Sequence, residues 1–181
     1  KVKYIELKDY FPLYIKLIST ILLKLKLYNL YYWILPTNKD ALTKSKSISN
    51  IDLIIANDIY TLPLAVKIKK DSKLLYDAHE YYPKEHDNNK MWMFFFHDYM
   101  NYLTKKYASK ADRMLTIGEA IKREYTRIFT LNPTVVMNMP KYEEIEIKQN
   151  DNKEIRMVHH GAALPGRNLE LMIEIVNILG N

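Results

Sequence analysis

The chain has 181 residues, 48% of them hydrophobic and 27% charged, so its composition is that of a globular protein with a sizeable core. It contains no cysteine, which excludes a disulfide framework and a metal site built on thiolates. Its formal net charge of +6 favours anionic partners, such as nucleotide phosphates, anionic lipid headgroups or nucleic acid.

The first fifty residues predict one short strand and a long amphipathic helix. Residues 2–7 alternate apolar and polar side chains, which is typical of a strand. Pro12 suits the first turn of a helix that extends to about Leu35 and breaks near Asn29. Lysines interrupt that helix too often for a membrane-spanning segment, which needs about 20 apolar residues. Residues 37–50 are polar and predict a short helix or a loop.

From residue 51 onward the chain alternates strand-like and helix-like segments. Strands are predicted at 51–57, 73–78, 112–118 and 134–138. Helices are predicted between them at 61–70, 91–109 and 119–129. Strands that alternate with helices at this spacing indicate an α/β fold with a doubly wound, parallel, Rossmann-like sheet.

Two of these helices carry apolar residues at spacings of three and four, which mark the face that each helix buries. In the helix at 91–109 these residues are Trp92, Phe95, Phe96, Tyr99, Leu103 and Tyr107. In the helix at 119–129 they are Ile121, Tyr125 and Ile128, and all three are predicted to point inward.

The composition divides the chain into two domains joined by a linker. Residues 1–140 hold the α/β pattern, and residues 141–154 shift to polar and charged side chains. Residues 155–181 then begin a second α/β unit, with a strand at 155–161 and a helix at 167–179.

Polar side chains follow three of the predicted strands at the point where each strand ends. Asp58 follows the first strand, Asp77, His79 and Glu80 close the second, and Asn138 closes the fourth. Ligands of open parallel sheets bind beyond the carboxyl ends of the strands, so these side chains line a predicted cleft. The alternative is local: an acid after a strand often caps the next helix, and Glu80 can serve only to orient the histidine or cap a turn.

A metal site is not predicted. His159 and His160 are adjacent, and neighbouring residues of a strand point to opposite faces. No further ligands with the required spacing lie nearby in the sequence.

The second domain opens with a strand, a turn and a helix, an order that many α/β units share. Gly161 allows the backbone to approach a ligand closely, and Arg167 adds a positive charge at the start of the helix. Helix N-termini attract phosphate through their unpaired N–H groups and the helix dipole. The spacing matches neither a P-loop nor the dinucleotide-binding fingerprint.

Five stretches occur in one order along the chain: DLIIANDIYTLPLA, KLLYDAHEYYP, ADRMLTIGEAIKREY, TVVMNMP and HHGAALPGRNLELMI. Through this series, residues 50–181 resemble the family-four retaining glycosyltransferases, whose GT-B fold consists of two Rossmann-like domains. Residues 1–50 match that family only in their general α/β character.

The resemblance implies an enzyme that moves a sugar from a nucleotide-diphosphate sugar to an acceptor with retention, in glycan or glycolipid synthesis. The nucleotide sugar would bind mainly to the C-terminal domain. The acceptor, a sugar or a lipid-linked sugar, would bind mainly to the N-terminal domain. Neither a cofactor nor a metal is expected, because preorganised protein groups stabilise the charge on the leaving diphosphate.

The resemblance also implies roles for single residues. His79 matches the family's active-site histidine, which contacts the donor sugar near the reacting carbon. Asp58 and Asn138 match positions that line the cleft in the N-terminal domain. Gly161 matches the glycine of the donor-phosphate loop, and Arg167 matches the basic residue that stabilises the leaving diphosphate.

The chain departs from the family pattern at three points. Gly118 stands where the family commonly has a serine. The opening strand with its glycine-rich turn is not visible before Lys1, and the pair of glutamates late in the C-terminal domain would lie beyond Asn181. We therefore expect that these 181 residues alone do not transfer sugar.

Two other functions are open on the sequence alone. A sugar-nucleotide epimerase shares the architecture more than it shares these motifs. The other alternative is a non-catalytic basic module that binds a membrane surface or a nucleic acid. Nucleic-acid binding is not expected, because the aromatic residues fall at the spacing of a helix core.

The membrane alternative rests on residues 10–35, where lysines mix with aromatic and aliphatic side chains as they do in interfacial helices. The competing interpretation is a helix packed on the sheet. Membrane contact is also compatible with sugar transfer, because a lipid-linked acceptor is embedded in a bilayer. We expect a cytoplasmic protein, peripheral at the inner face of the membrane in the case where residues 10–35 contact lipid.

Overall fold

The computed structural model describes residues 2, 4–8, 10–144, 157–162 and 168–179. The chain divides into two compact units, Lys1–Pro140 and Lys141–Asn181. Within the described ranges, no helix is both long enough and apolar enough to cross a lipid bilayer.

The first unit begins with three helices: α1 (Leu13–Lys24), α2 (Tyr28–Ile34) and α3 (Pro36–Ser45). The first two replace the single long helix predicted from the sequence, and the predicted break is confirmed. The chain turns at Lys26, which adopts a left-handed conformation with φ of 57°. Pro36 begins α3, where its missing N–H costs no helical hydrogen bond.

The strand predicted at 2–7 is wrong, because residues 2 and 4–8 belong to no strand. Their backbone is bound instead to side chains of α3. The Lys8 N–H donates to Asp40 Oδ2 at 3.0 Å, and the Thr37 hydroxyl donates to the Lys8 carbonyl at 3.2 Å. Among the described residues, no strand pairs with this segment.

The rest of the first unit alternates strands and helices. The strands are β1 (Leu53–Ala56), β2 (Lys73–Ala78), β3 (Arg113–Thr116) and β4 (Thr134–Val135). The helices are α4 (Leu62–Ile68), α5 (Lys90–Tyr107) and α6 (Glu119–Phe129), with single 3₁₀ turns at Tyr82–Lys84 and Ala108–Lys110.

All four strands are parallel, and their order in the sheet, β1-β2-β3-β4, is their order in the chain. The prediction of an α/β fold with a parallel sheet is thereby confirmed. The described strands run across the sheet in one direction. The reversal of strand order that defines a doubly wound sheet is therefore not among them.

The core lies between one face of the sheet and the helices. On β2 that face carries Leu74, Tyr76 and Ala78, all of them almost completely buried. Tyr99, Leu103 and Tyr107 of α5 are buried as predicted, whereas Trp92, Phe95 and Phe96 are half-buried. On the opposite face of the sheet, Leu53 and Ile55 are more than half exposed.

The inward face predicted for α6 is confirmed in part. Tyr125 is completely buried and Ile121 packs against the core, but Ile128 is 45% exposed. Ile128 lines an open groove between α6 and α5, which leaves its side chain partly accessible to solvent.

The described part of the second unit consists of residues 141–144, 157–162 and 168–179. Its helix, α7 (Leu169–Leu179), confirms the helix predicted at 167–179. The strand predicted at 155–161 is not present in its described part, since residues 157–161 belong to no strand. Residues 157–159 instead line a cavity of about 580 Å³ beside α7.

Candidate functional site

The candidate site lies where β1 and β2 end. The two strands are parallel neighbours, with Ala56 paired to Tyr76, so their carboxyl ends meet at one edge of the sheet. Asp58 follows β1 by two residues, and His79 directly follows β2. This is the edge at which open α/β sheets bind ligands.

His79 presents an accessible imidazole at this edge. Its side chain is 43% exposed, and its Nδ1 lies 3.8 Å from Oδ2 of Asp77, which is longer than a hydrogen bond. Its ring centroid lies 6.5 Å from that of Tyr82, in an edge-on arrangement. No hydrogen bond to another described residue occupies the imidazole, so both ring nitrogens can meet a ligand.

Asp58 binds the turn before the next helix, which is the alternative to a site role that the sequence left open. Its Oδ1 accepts a hydrogen bond from the Thr61 N–H at 2.8 Å, and its carbonyl accepts one from the Thr61 hydroxyl at 3.0 Å. These bonds fix the turn that leads into α4. The half-buried carboxylate also faces Tyr82: burial raises the pKa of that phenol, and the negative charge of Asp58 raises it further.

Two tyrosines and a glutamate that the sequence did not single out complete the cluster. The rings of Tyr60 and Tyr82 meet edge-on with centroids 6.4 Å apart, and the Tyr82 hydroxyl donates to the Asn57 carbonyl at 3.5 Å. Burial raises the pKa of Tyr60, and the nearby carboxylate of Glu85 raises it further. Oε2 of Glu85 is buried without a hydrogen-bond partner among the described residues.

The segment that carries these groups is fastened to the core from two sides. The hydroxyl of Tyr125 in α6 donates to the Glu80 carbonyl at 2.9 Å and accepts from the Tyr82 N–H at 3.4 Å. On the other side, Nδ1 of His97 in α5 lies 2.8 Å from the Pro83 carbonyl oxygen and donates to it. Glu80 therefore contributes its backbone to the site, while its side chain is exposed.

The remaining predicted site residues are Asn138, Gly161 and Arg167. Asn138 is exposed and follows β4 by three residues, and no contact within the described ranges joins it to the groups around His79. Gly161, in the second unit, is exposed with φ of 146°, a conformation that residues with a Cβ rarely adopt. Arg167 lies outside the described residues.

The chemistry of the cluster is that of a hydrogen-bonding site for a hydroxylated ligand. Carboxylates accept hydrogen bonds, phenols donate and accept them, and a neutral imidazole does both. The described residues contain no group of three His, Asp or Glu side chains that could hold a metal ion together.

Fold and site together define an α/β protein whose parallel sheet presents acidic, phenolic and imidazole groups where β1 and β2 end. Comparison of the chain with protein-family models, with curated proteins and with solved structures finds no match in any of the three.

Proposed function

We propose that the chain belongs to a retaining, metal-independent glycosyltransferase of the GT-B type, which moves a sugar from a nucleotide-diphosphate sugar to a sugar or lipid-linked acceptor. The observation that carries the proposal is the position of His79. Its exposed imidazole stands at the carboxyl end of β2, next to an acid and a phenol. The order of the five sequence stretches supports the same class of enzyme.

In this proposal the first unit receives the acceptor. Sugar hydroxyls are hydrogen-bond donors and acceptors, and the rim around His79 offers partners for both. Asp77 and Glu85 supply carboxylates that can accept hydrogen bonds from sugar hydroxyls. The imidazole of His79 is the group that contacts the transferred sugar near its reacting carbon.

The second unit would bind the donor phosphates. Gly161 has the backbone freedom that close approach to a phosphate requires. Arg167 would place its positive charge near the leaving diphosphate, and a fixed cation stabilises the charge that develops there. A doubly wound sheet in each domain is the finer fold that this proposal entails.

The test uses the natural protein that contains this chain. A thermal-shift screen against nucleotide sugars identifies the donor, and release of nucleoside diphosphate in the presence of candidate acceptors measures transfer. His79→Ala is expected to lower kcat/KM by more than about tenfold, because positioned polar groups in such sites usually contribute at least that much. His86→Ala is the matched control, since it removes a histidine that is more than half exposed and does not follow a strand.

A loss below tenfold for His79→Ala, or an equal loss for His86→Ala, would contradict the central role of His79. The products separate the transferase from an epimerase. An epimerase returns an isomer of the nucleotide sugar with its diphosphate intact, whereas a transferase releases the nucleoside diphosphate. Isomer formation without diphosphate release would overturn the proposal.

A further inference from the structure

Helix α1 has two faces, and only one of them packs against the protein. The packed face consists of Ile15, Ser19 and Leu23, which are buried. On another face of the helix, large apolar side chains between 40% and 63% exposed form a stripe of Tyr14, Leu17, Ile18, Ile21 and Leu25. Their spacing of three and four residues places them along one side of the helix. We call this set the α1 stripe.

The apolar surface extends beyond α1. At the start of α5, Met91 and Phe94 are about two-thirds exposed, and the Nζ of Lys24 lies 4.5 Å from the centre of the Phe94 ring. Beside the stripe, a groove of about 400 Å³ opens between α1 and α2. Its lining is almost entirely apolar and consists of Ile18, Leu22, Leu30, Trp33, Ile34 and Lys39. Exposed apolar surface of this extent marks a binding surface for a protein or a membrane.

The charged residues of the segment that contains α1 and α2 are all positive. Residues 10–35 contain three lysines and neither aspartate nor glutamate. Lys26 is paired with Asp98 of α5 at 2.7 Å. Within the described ranges Lys16 and Lys24 have no acidic partner. The Nζ of Lys16 lies over the Phe11 ring, and that of Lys24 lies over the Phe94 and Phe95 rings.

We propose that the α1 stripe binds the surface of a bilayer that contains anionic phospholipid, with α1 lying in the plane of the interface. An apolar helix face buries itself at the boundary of headgroups and acyl chains, and flanking lysines attract anionic headgroups. The long stems of Lys16 and Lys24 allow their ammonium groups to reach the headgroups while the stems cover apolar surface. Because residues 10–35 carry positive charge and no acidic residue, an anionic bilayer is favoured over a second copy of this chain, which is itself basic.

This inference does not depend on the proposed transferase activity, because lipid binding requires no nucleotide sugar. The first measurement is co-sedimentation of the chain with two kinds of vesicle. One contains phosphatidylcholine alone, and the other contains about one-third phosphatidylglycerol. The chain is expected to bind the anionic vesicles at least about tenfold more tightly. Absence of binding, or equal binding to both vesicles, would overturn the proposal.

Two double variants then separate the charged and apolar contributions. Lys16→Glu with Lys24→Glu is expected to reduce binding to anionic vesicles by about tenfold or more, since each lysine near such a surface contributes measurably. Leu17→Ser with Ile21→Ser is expected to have a similar effect, since it removes exposed apolar area. Both pairs are exposed, so folding is expected to be unchanged, and circular dichroism checks this.

The matched control changes the net charge by the same amount elsewhere. Lys67→Glu with Lys105→Glu replaces exposed lysines of α4 and α5 that have no ion pair within the described ranges. This control is expected to retain most of the binding. An equal loss in the control would show that net charge alone attracts the chain, and the proposed surface would be wrong.

A spectroscopic measurement locates the contact. With Trp92→Phe, Trp33 in the groove becomes the only tryptophan of the chain. Brominated phospholipid is expected to quench its fluorescence on binding. Vesicle binding without quenching would place the contact elsewhere. A chain that does not bind vesicles can still form dimers at high concentration. If such dimers disappear with Leu17→Ser and Ile21→Ser, the α1 stripe serves self-association and the proposal is refuted.

Discussion

The hydroxyl of Tyr125 offers the sharpest test of how the candidate site is held in place. Tyr125→Phe keeps the buried ring and removes a single oxygen atom. In the native protein that oxygen donates to the Glu80 carbonyl and accepts from the Tyr82 N–H, so it fastens two of the three residues that follow His79 to α6. Burial raises the pKa of Tyr125, and the hydroxyl therefore keeps its proton throughout the neutral range.

The two hydrogen bonds differ in strength. The bond to Glu80, at 2.9 Å, has ordinary length and contributes about 0.5–1.5 kcal/mol net. The bond from Tyr82, at 3.4 Å, is longer than usual and contributes less, but its N–H is buried, and a buried group left unpaired costs about 1–3 kcal/mol. We therefore expect Tyr125→Phe to lower the free energy of unfolding by about 1–3 kcal/mol.

Urea unfolding followed by circular dichroism measures this loss, which corresponds to a midpoint shift on the order of 1 M. Tyr99→Phe is the matched control. Its ring is equally buried, but its hydroxyl makes no hydrogen bond to another described residue, so a change below about 0.5 kcal/mol is expected. A loss below about 0.5 kcal/mol for Tyr125→Phe, or similar losses for both variants, would show that the Tyr125 hydroxyl does not hold the segment after His79 in place.

Two further predictions concern β2 and α6. Lys69 and the Leu74 N–H, at 2.6 and 2.8 Å, hold the pKa of Asp112 below its usual range. Because the pKa of Asp112 is lower in the folded state than in the unfolded state, this stabilisation is present above the unfolded-state pKa of about 4 and is lost as the pH falls through the folded-state pKa. Asp112→Asn should therefore be less stable at neutral pH, and its free energy of unfolding in urea should fall less steeply as the pH is lowered. An unchanged pH dependence would contradict this. A Cβ on Gly118, at the N-cap of α6, meets open space, so Gly118→Ser should raise stability by a few tenths of a kcal/mol in thermal unfolding, whereas a fall would exclude capping.

The sheet was predictable because each of its strands carries a local signal. β2 was predicted with its observed bounds, since an apolar run there stops abruptly at polar residues on both sides. The segment at 2–7 carried an equally clear alternation and forms no strand. Alternation records which side chains can be buried, but a strand also requires a neighbour for its backbone. Within this segment the Lys44 side chain donates to the Glu6 carbonyl at 2.7 Å, and just beyond it the Asp40 and Thr37 side chains bind the backbone of Lys8.

The candidate site residues that directly follow a strand were predictable from the sequence, whereas those that a turn brings into the cluster were not. His79 and Asp58 were found because parallel strands bring their carboxyl ends together. The partnership of Tyr60 with Glu85 joins residues 25 positions apart, which follow two different strands. The residue pattern YYP after the strand was visible, but periodicity gives no indication of which tyrosine turns inward.

Helix α5 connects the two proposals within the first unit. At its first turns Phe94 lies beneath Lys24 of α1, and Asp98 pairs with Lys26, so the α1 stripe is fixed relative to α5. In the same stretch His97 holds the Pro83 carbonyl, which fixes the segment after His79. Helix α5 therefore contacts both the surface proposed to meet lipid and the segment that follows His79 in the site proposed to bind the acceptor.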